Sequence, residues 1–144
     1  MSWTLLSAHE VHELIASDNV FLIDVRTEIE FSQGHPAGSY NIPWMLRSSA
    51  NLVRNTDFIA DVLRICSRED SIILSCKSGN RSSRAAAALQ RAGFSSLYEL
   101  KNGFEGRRDS FGRQTIKGWK ASGLPIGFDA PLSRTYHCKN EELS

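Results

Sequence analysis

Apolar residues recur along this chain in two alternating rhythms. Ser7-Ala-His-Glu10 has capping-box spacing, in which a hydroxyl and a carboxylate three residues apart satisfy each other's backbone N–H. Ala8, Val11, Leu14 and Ile15 follow at helical intervals, predicting an amphipathic helix that ends near Asp18 and Asn19. Val20 to Val25 is nearly continuous apolar sequence, as in a parallel strand covered on both faces, and Asp24 is its one charge. Thr27 and Glu30 repeat the capping-box spacing and predict a short second helix. Tyr40 to Ile42 predicts a short strand before Pro43, and Asn55 or Thr56 is placed to cap a third helix carrying Phe58, Ile59, Val62 and Leu63. Ser71 to Ser75 reads as a buried strand. The helix after it runs to about Arg91, with Gly93 as its stop signal, and Ser96 to Leu100 reads as a further strand. Strands alternating with helices predict an α/β fold, a central parallel sheet flanked by helices on both faces. Gly103 to Lys117 is rich in Gly, Arg and polar residues and reads as a long loop or hairpin insertion. Residues 129–144 read as a polar tail.

Between the strand at 71–75 and its helix lies Cys76-Lys-Ser-Gly-Asn-Arg81. This order puts a thiol at the carboxyl end of a strand and the amino end of a helix, where free N–H groups and the helix dipole favour an anion. A thiol so placed is expected to lose its proton more readily than a free cysteine, and the thiolate is the nucleophile. Lys77 and Arg81 add two positive charges to the same loop. Gly79 permits a turn that other residues resist. In parallel α/β sheets ligands sit outside the carboxyl ends of the strands, which is where Cys76 is expected.

With 144 residues, one domain suffices to bury a core. A formal net charge of +1 gives no support for a nucleic-acid or membrane partner. No metal or organic cofactor is expected. Three cysteines, Cys66, Cys76 and Cys138, match no zinc-ligand spacing and no disulfide framework, so a reducing, cytoplasmic setting is expected. The first residues lack the basic and long apolar regions of a secretory signal, and no apolar run approaches the roughly 20 residues of a membrane span.

The residues resemble the rhodanese family of single-domain sulfurtransferases through several motifs in order. Asp24-Val-Arg26 with Glu30-Phe31, Gly34-His35, Gly38 and Asn41-Ile-Pro43 resemble its amino-terminal signature. Cys76 to Ser82 resembles its active-site loop, and Gly103-Phe104 with Gly118-Trp119 and Gly123-Leu-Pro125 its carboxyl-terminal signature. The resemblance covers residues 4–126, leaving 127–144 as a carboxyl-terminal tail. It implies a thiosulfate:cyanide type of sulfurtransferase in which Cys76 takes the outer sulfur of a small anionic donor such as thiosulfate. The resulting persulfide passes its sulfur to cyanide or a thiol, or to a protein acceptor. It further implies that backbone N–H groups of residues 77–82 surround the persulfide, with Lys77, Ser78, Gly79, Asn80, Arg81 and Ser82 binding substrate. Rhodanese-like phosphatases and arsenate reductases use a loop one residue longer; here four residues separate Cys76 from Arg81. A sulfur-relay or interaction module is the other alternative. The chain departs from the common pattern at Pro36 and in the polar insertion at 104–117.

Other residues have plainer readings. Asp24 and Arg26 are expected to form a structural network, with Glu30 a further candidate partner, because buried charges are paired. His35 reads as a hydrogen-bonded structural residue, and His9 and His12 lack a third metal ligand. Trp44 and Trp119 read as core or pocket wall, and Cys66 as inert packing. Cys138 reads as a tail residue, with a second relay thiol as the alternative. Arg107, Arg108, Arg113 and Lys117 read as a solvated loop or as a steering patch for anions.

Overall fold

Five short parallel strands form the centre of the computed structural model, which describes residues 3–131 and 133–136. In chain order the first elements are β1 (Thr4–Leu6), α1 (Ala8–Leu14), β2 (Val20–Asp24), α2 (Glu28–Ser32), β3 (His35–Pro36) and β4 (Tyr40–Asn41). There follow β5 (Met45–Ser48), β6 (Asn51–Arg54), α3 (Phe58–Leu63), β7 (Ser71–Ser75), α4 (Asn80–Arg91) and β8 (Leu97–Leu100). The chain continues through β9 (Arg107–Arg108), β10 (Gln114–Ile116), a 3-10 turn (Lys120–Ser122) and β11 (Ile126–Gly127). The main sheet has the order β1-β8-β7-β2-β4, and every pairing in it is parallel.

Alternation along the central strands decides which layer each residue enters. Ile23, Ile72 and Leu74 face Phe58 and Val62 of α3 and Ala85, Ala86 and Leu89 of α4. Leu22 and Ile73 point the other way, into a core with Val11 of α1, Leu100, Phe104 and Trp119. Helices therefore cover both faces, as the alternation predicts. From β2 the chain passes to β4 on one side, while from β7 it passes through α4 to β8 on the other. The connections diverge between β2 and β7, and a crevice opens at their carboxyl ends. Residues 24–30 and 76–82 line it.

Several local expectations differ in detail. The first helix stops at Leu14 rather than near Asp18. The third has Asp57 at its N-cap position with no side-chain cap bond of its own; Asn55 sits two residues ahead, its side-chain oxygen accepting the Asp57 N–H (3.1 Å) while its amide donates to the Pro43 carbonyl (2.9 Å) and Asp61 (3.2 Å). Both capping boxes form as spaced, at Ser7–Glu10 and Thr27–Glu30. Edge strand β1 and hairpin β5–β6 were not expected; all four β6 residues are exposed, so no apolar face marks them. The segment after Gly103 is indeed a hairpin, β9–β10. Gln114 ties it down, its side-chain amide donating to the carbonyls of Glu105, Arg107 and Ile116. The described part of the carboxyl-terminal segment lies against the body: Asn41 N–H donates to the Arg134 carbonyl (2.8 Å) and the Tyr136 hydroxyl to Asp61 (3.2 Å). Cys138 lies outside the described residues. Among those described, no helix is long and apolar enough to cross a membrane.

Candidate active site

Strand β7 delivers its chain end to the crevice at Ser75, and α4 starts five residues later at Asn80. The turn between them needs a backbone that only glycine adopts easily: Gly79 has φ +121°, although a Cβ there would meet open space. This conformation aims the Gly79 N–H at the Cys76 Sγ, 2.9 Å away. Cys76 is 1% exposed, and its thiol donates to Ser82 Oγ at 3.4 Å. Ser82, on the first turn of α4, in turn donates to a carboxylate oxygen of Glu99 on β8 at 2.7 Å. The other oxygen of Glu99 accepts the indole N–H of Trp3.

The floor of the loop is backbone. Phe104 N–H donates to the Cys76 carbonyl (2.8 Å) and Glu105 N–H to that of Lys77 (2.9 Å). Gly103 permits this approach, since a Cβ would stand 2.6 Å from the carbonyl oxygens of both Cys76 and Lys77. Gly118 is packed as tightly, its hypothetical Cβ 2.6 Å from the Gly103 carbonyl. These glycines fasten the carboxyl-terminal segment under the Cys76 loop.

Charges at the crevice are paired. Arg26 forks onto Asp24, with Nη2 2.6 Å from Oδ2 and Nε 2.9 Å from Oδ1, and also donates to the Gly34 carbonyl. Its guanidinium lies 4.5 Å from the centre of the Phe104 ring. Glu30 joins Arg81 rather than this network, in a two-pronged contact of 2.7 and 3.0 Å. Burial alone would raise the Glu30 carboxyl, but the Arg81 hydrogen bonds and charge, with the Thr27 N–H and hydroxyl, bring it down to about 2. The same contact holds the Arg81 guanidinium more firmly charged than usual. His35 stacks on Phe31 and bonds its carbonyl through Nδ1 (2.8 Å); burial lowers its affinity for a second proton. Cys66 is a half-buried free thiol whose burial pushes it up to about 11, as suits an inert packing residue.

Of the site residues read from the sequence, Cys76, Gly79, Arg81 and Ser82 come together around the sulfur. Gly79 supplies the N–H that reaches it. Lys77, Ser78 and Asn80 lie on the rim instead, in an open cleft shared with Glu105, Arg107 and Arg108 of the hairpin. Lys77 also borders a smaller cleft with Arg26, Glu30, Phe104 and Lys120. Trp119 is fully buried in the far layer, and Trp44 packs against Phe58. Sequence reasoning missed Trp3, Glu99 and the link between Glu30 and Arg81. The one signal for Glu99 was a charge inside an otherwise apolar strand. Among the described residues no cluster of His, Cys, Asp or Glu is arranged to hold a metal.

The Rhodanese-like domain matches residues 7–109. The chain belongs to the rhodanese-like family. This rhodanese-like chain is 34% identical over 120 residues to thiosulfate sulfurtransferase 16, chloroplastic, of Arabidopsis thaliana, covering 83% of this chain and 89% of that one. It is 39% identical over 82 residues to the senescence-associated protein DIN1 of Raphanus sativus, a match spanning 57% of this chain and only 45% of that longer protein. In three dimensions it resembles Rv0390 from M. tuberculosis with a TM-score of 0.75 at 28% identity, covering 90% of this chain and all of the other. As a rhodanese-like domain it joins a family with thiosulfate sulfurtransferases among its members, and its buried thiol at a helix start is an arrangement suited to nucleophilic chemistry on sulfur.

Proposed function

We propose that this rhodanese-like domain is a sulfurtransferase that carries sulfane sulfur as a persulfide on Cys76. The observation that carries this reading is the sulfur itself, held at the start of α4 with the Gly79 N–H 2.9 Å away. The Cys76 thiolate attacks the outer sulfur of a donor such as thiosulfate. The S–S bond of the donor breaks, its electron pair leaves with sulfite, and a Cys–S–S⁻ group remains. An acceptor, cyanide or a thiolate, then attacks the outer sulfur and returns the Cys76 thiolate. The helix start and the Gly79 N–H stabilise the anion in both states. Both terminal nitrogens of Arg81 are held by Glu30, so exposed Lys77 takes the larger share of the donor's oxyanion end, with Arg81 supplying fixed positive charge behind it. A free thiol chemistry of this kind suits a reducing compartment such as the cytoplasm.

Four residues between Cys76 and Arg81 argue against the phosphatase and arsenate-reductase readings. A protein thiol as acceptor is the second reading, supported by the cleft that Lys77, Arg107 and Arg108 form beside the loop. Its sign is slow turnover with cyanide but fast transfer to the partner thiol. Intact-protein mass spectrometry tests the main reading. Incubation with thiosulfate is expected to add one sulfur atom to Cys76, and cyanide to remove it. Cys76→Ser is expected to gain no sulfur while staying folded; sulfur gain in that variant would sink the mechanism.

A further inference from the structure

Glu99 is a buried carboxylate that the sulfur-transfer cycle above does not use. It is 5% exposed, at the centre of β8, and its partners are neutral: the Ser82 hydroxyl at 2.7 Å and the Trp3 indole N–H. Ser82 is fully buried and stands between Glu99 and the nucleophile, 3.4 Å from Sγ. The three groups form one line of hydrogen bonds, Sγ–H to Ser82 Oγ and Ser82 O–H to the Glu99 carboxylate.

The other charges around the sulfur are committed elsewhere. Asp24 and Arg26, at the end of β2, grip each other, and Glu30 of α2 grips Arg81 of α4. Glu105, beyond β8, lies 3.8 Å from Lys120, and Lys77 is exposed at the rim. His35 is held by the Phe31 carbonyl. Among these carboxylates, Glu99 is the one whose contact leads to the thiol.

We propose that Glu99 is a positioning residue that acts through Ser82 to store the proton of the Cys76 thiol. This inference rests on the Cys76-centred reading of the site. The transfer is balanced: the thiol proton passes to Ser82 Oγ as the Ser82 proton passes to Glu99. One negative charge thereby moves from the carboxylate to the sulfur, and the net charge of the line is unchanged. In the state so formed, protonated Glu99 donates to Ser82 Oγ and the Ser82 hydroxyl donates to the thiolate. Ser82 thus presents an acceptor to the thiol and a donor to the thiolate, and afterwards a donor to the persulfide anion. Without the shift, two anions would compete for one hydroxyl proton. Trp3, whose indole N–H can only donate, fixes the far oxygen and keeps the near one aimed at Ser82.

The test is the rate of Cys76 alkylation by iodoacetamide as a function of pH, followed by intact mass. Two sites sharing a proton titrate in two macroscopic steps, so the wild-type rate is expected to rise in two steps with a shoulder between them. Glu99→Gln cannot take the proton, and Ser82→Ala cuts the line while keeping the carboxylate. Both are expected to show a single step, falling about tenfold per pH unit below its midpoint as the thiolate alone titrates. Ser82→Thr, which keeps the hydroxyl, is expected to restore the shoulder. A single step in the wild-type protein overturns the proposal, with no variant needed. So does a Glu99→Gln profile that superimposes on the wild type or is merely displaced along the pH axis. Alkylation needs no sulfur donor. A two-step profile in a protein that gains no sulfur from thiosulfate would overturn the proposed activity and leave the relay standing.

Discussion

Arg26 answers most of the polar demand at the end of β2. Removing its side chain leaves Asp24, 0% exposed, without its ion pair, and frees the Gly34 carbonyl and the face of Phe104. Breaking one side of a buried pair costs about 3–5 kcal/mol. Arg26→Ala is therefore expected to lower the unfolding free energy by that amount, read from a lower urea midpoint at unchanged slope; a change below about 1 kcal/mol would mean that water replaces the guanidinium. Glu30 sets an acid limit. Its folded-state carboxyl is depressed from 4.5 to about 2, so the unfolded chain takes up this proton more readily. The stabilisation is complete above about pH 4.5 and is lost as pH falls toward and through about 2. Glu30→Gln is expected to flatten this part of the stability curve. Equal losses in both proteins between about pH 5 and about pH 3 would assign the acid sensitivity elsewhere. The capping role of Glu30 was legible from Thr27 three positions earlier. Its pairing with Arg81 spans 51 positions and leaves no local pattern to read.

At the level of elements, the loop after β7 depends on backbone that is distant in sequence. Gly103→Ala would drive a methyl group to 2.6 Å from two carbonyl oxygens and force a side-chain-bearing residue to φ +63°. A loss of about 1–3 kcal/mol is expected from the backbone alone, with displacement of Lys77 and slower alkylation of Cys76. Gly79→Ala separates the two effects, since its Cβ would meet open space at φ +121°. It is expected to strain the turn without crowding, and calorimetry with alkylation on both variants distinguishes strain from collision. Strand β7 and helix α4 were legible because their signals are local: an apolar run, a polar turn, helical spacing and Gly93. Hairpin β5–β6 was not, because the exposed side chains of β6 do not alternate between a core and water. Edge strand β1 is three residues long and is defined by its partner β8 rather than by its own sequence.

Over the whole molecule, the sheet order was fixed by packing that no single segment reveals. The divergence of connections between β2 and β7 places residues 24–30 beside residues 76–82. The place of Cys76 between strand and helix was legible from its loop, whereas its surroundings needed the assembled sheet. The carboxyl-terminal contact adds to that assembly: Tyr136→Phe removes a hydroxyl donor from buried Asp61, with an expected loss of about 1 kcal/mol in urea unfolding. An unchanged midpoint would show that Asn55 alone satisfies that carboxylate. The contact between Trp3 and Glu99 joins residues 96 positions apart, and β1 enters the main sheet by pairing with β8. Pairings this distant along the chain form late, after the entropy of closing the intervening loop has been overcome. During synthesis, which proceeds from the amino terminus, β1 emerges before β8 and must wait for it. The surroundings of the Cys76 sulfur are thus completed only after β8 has left the ribosome, so a nascent chain holds Cys76 well before it holds a finished site.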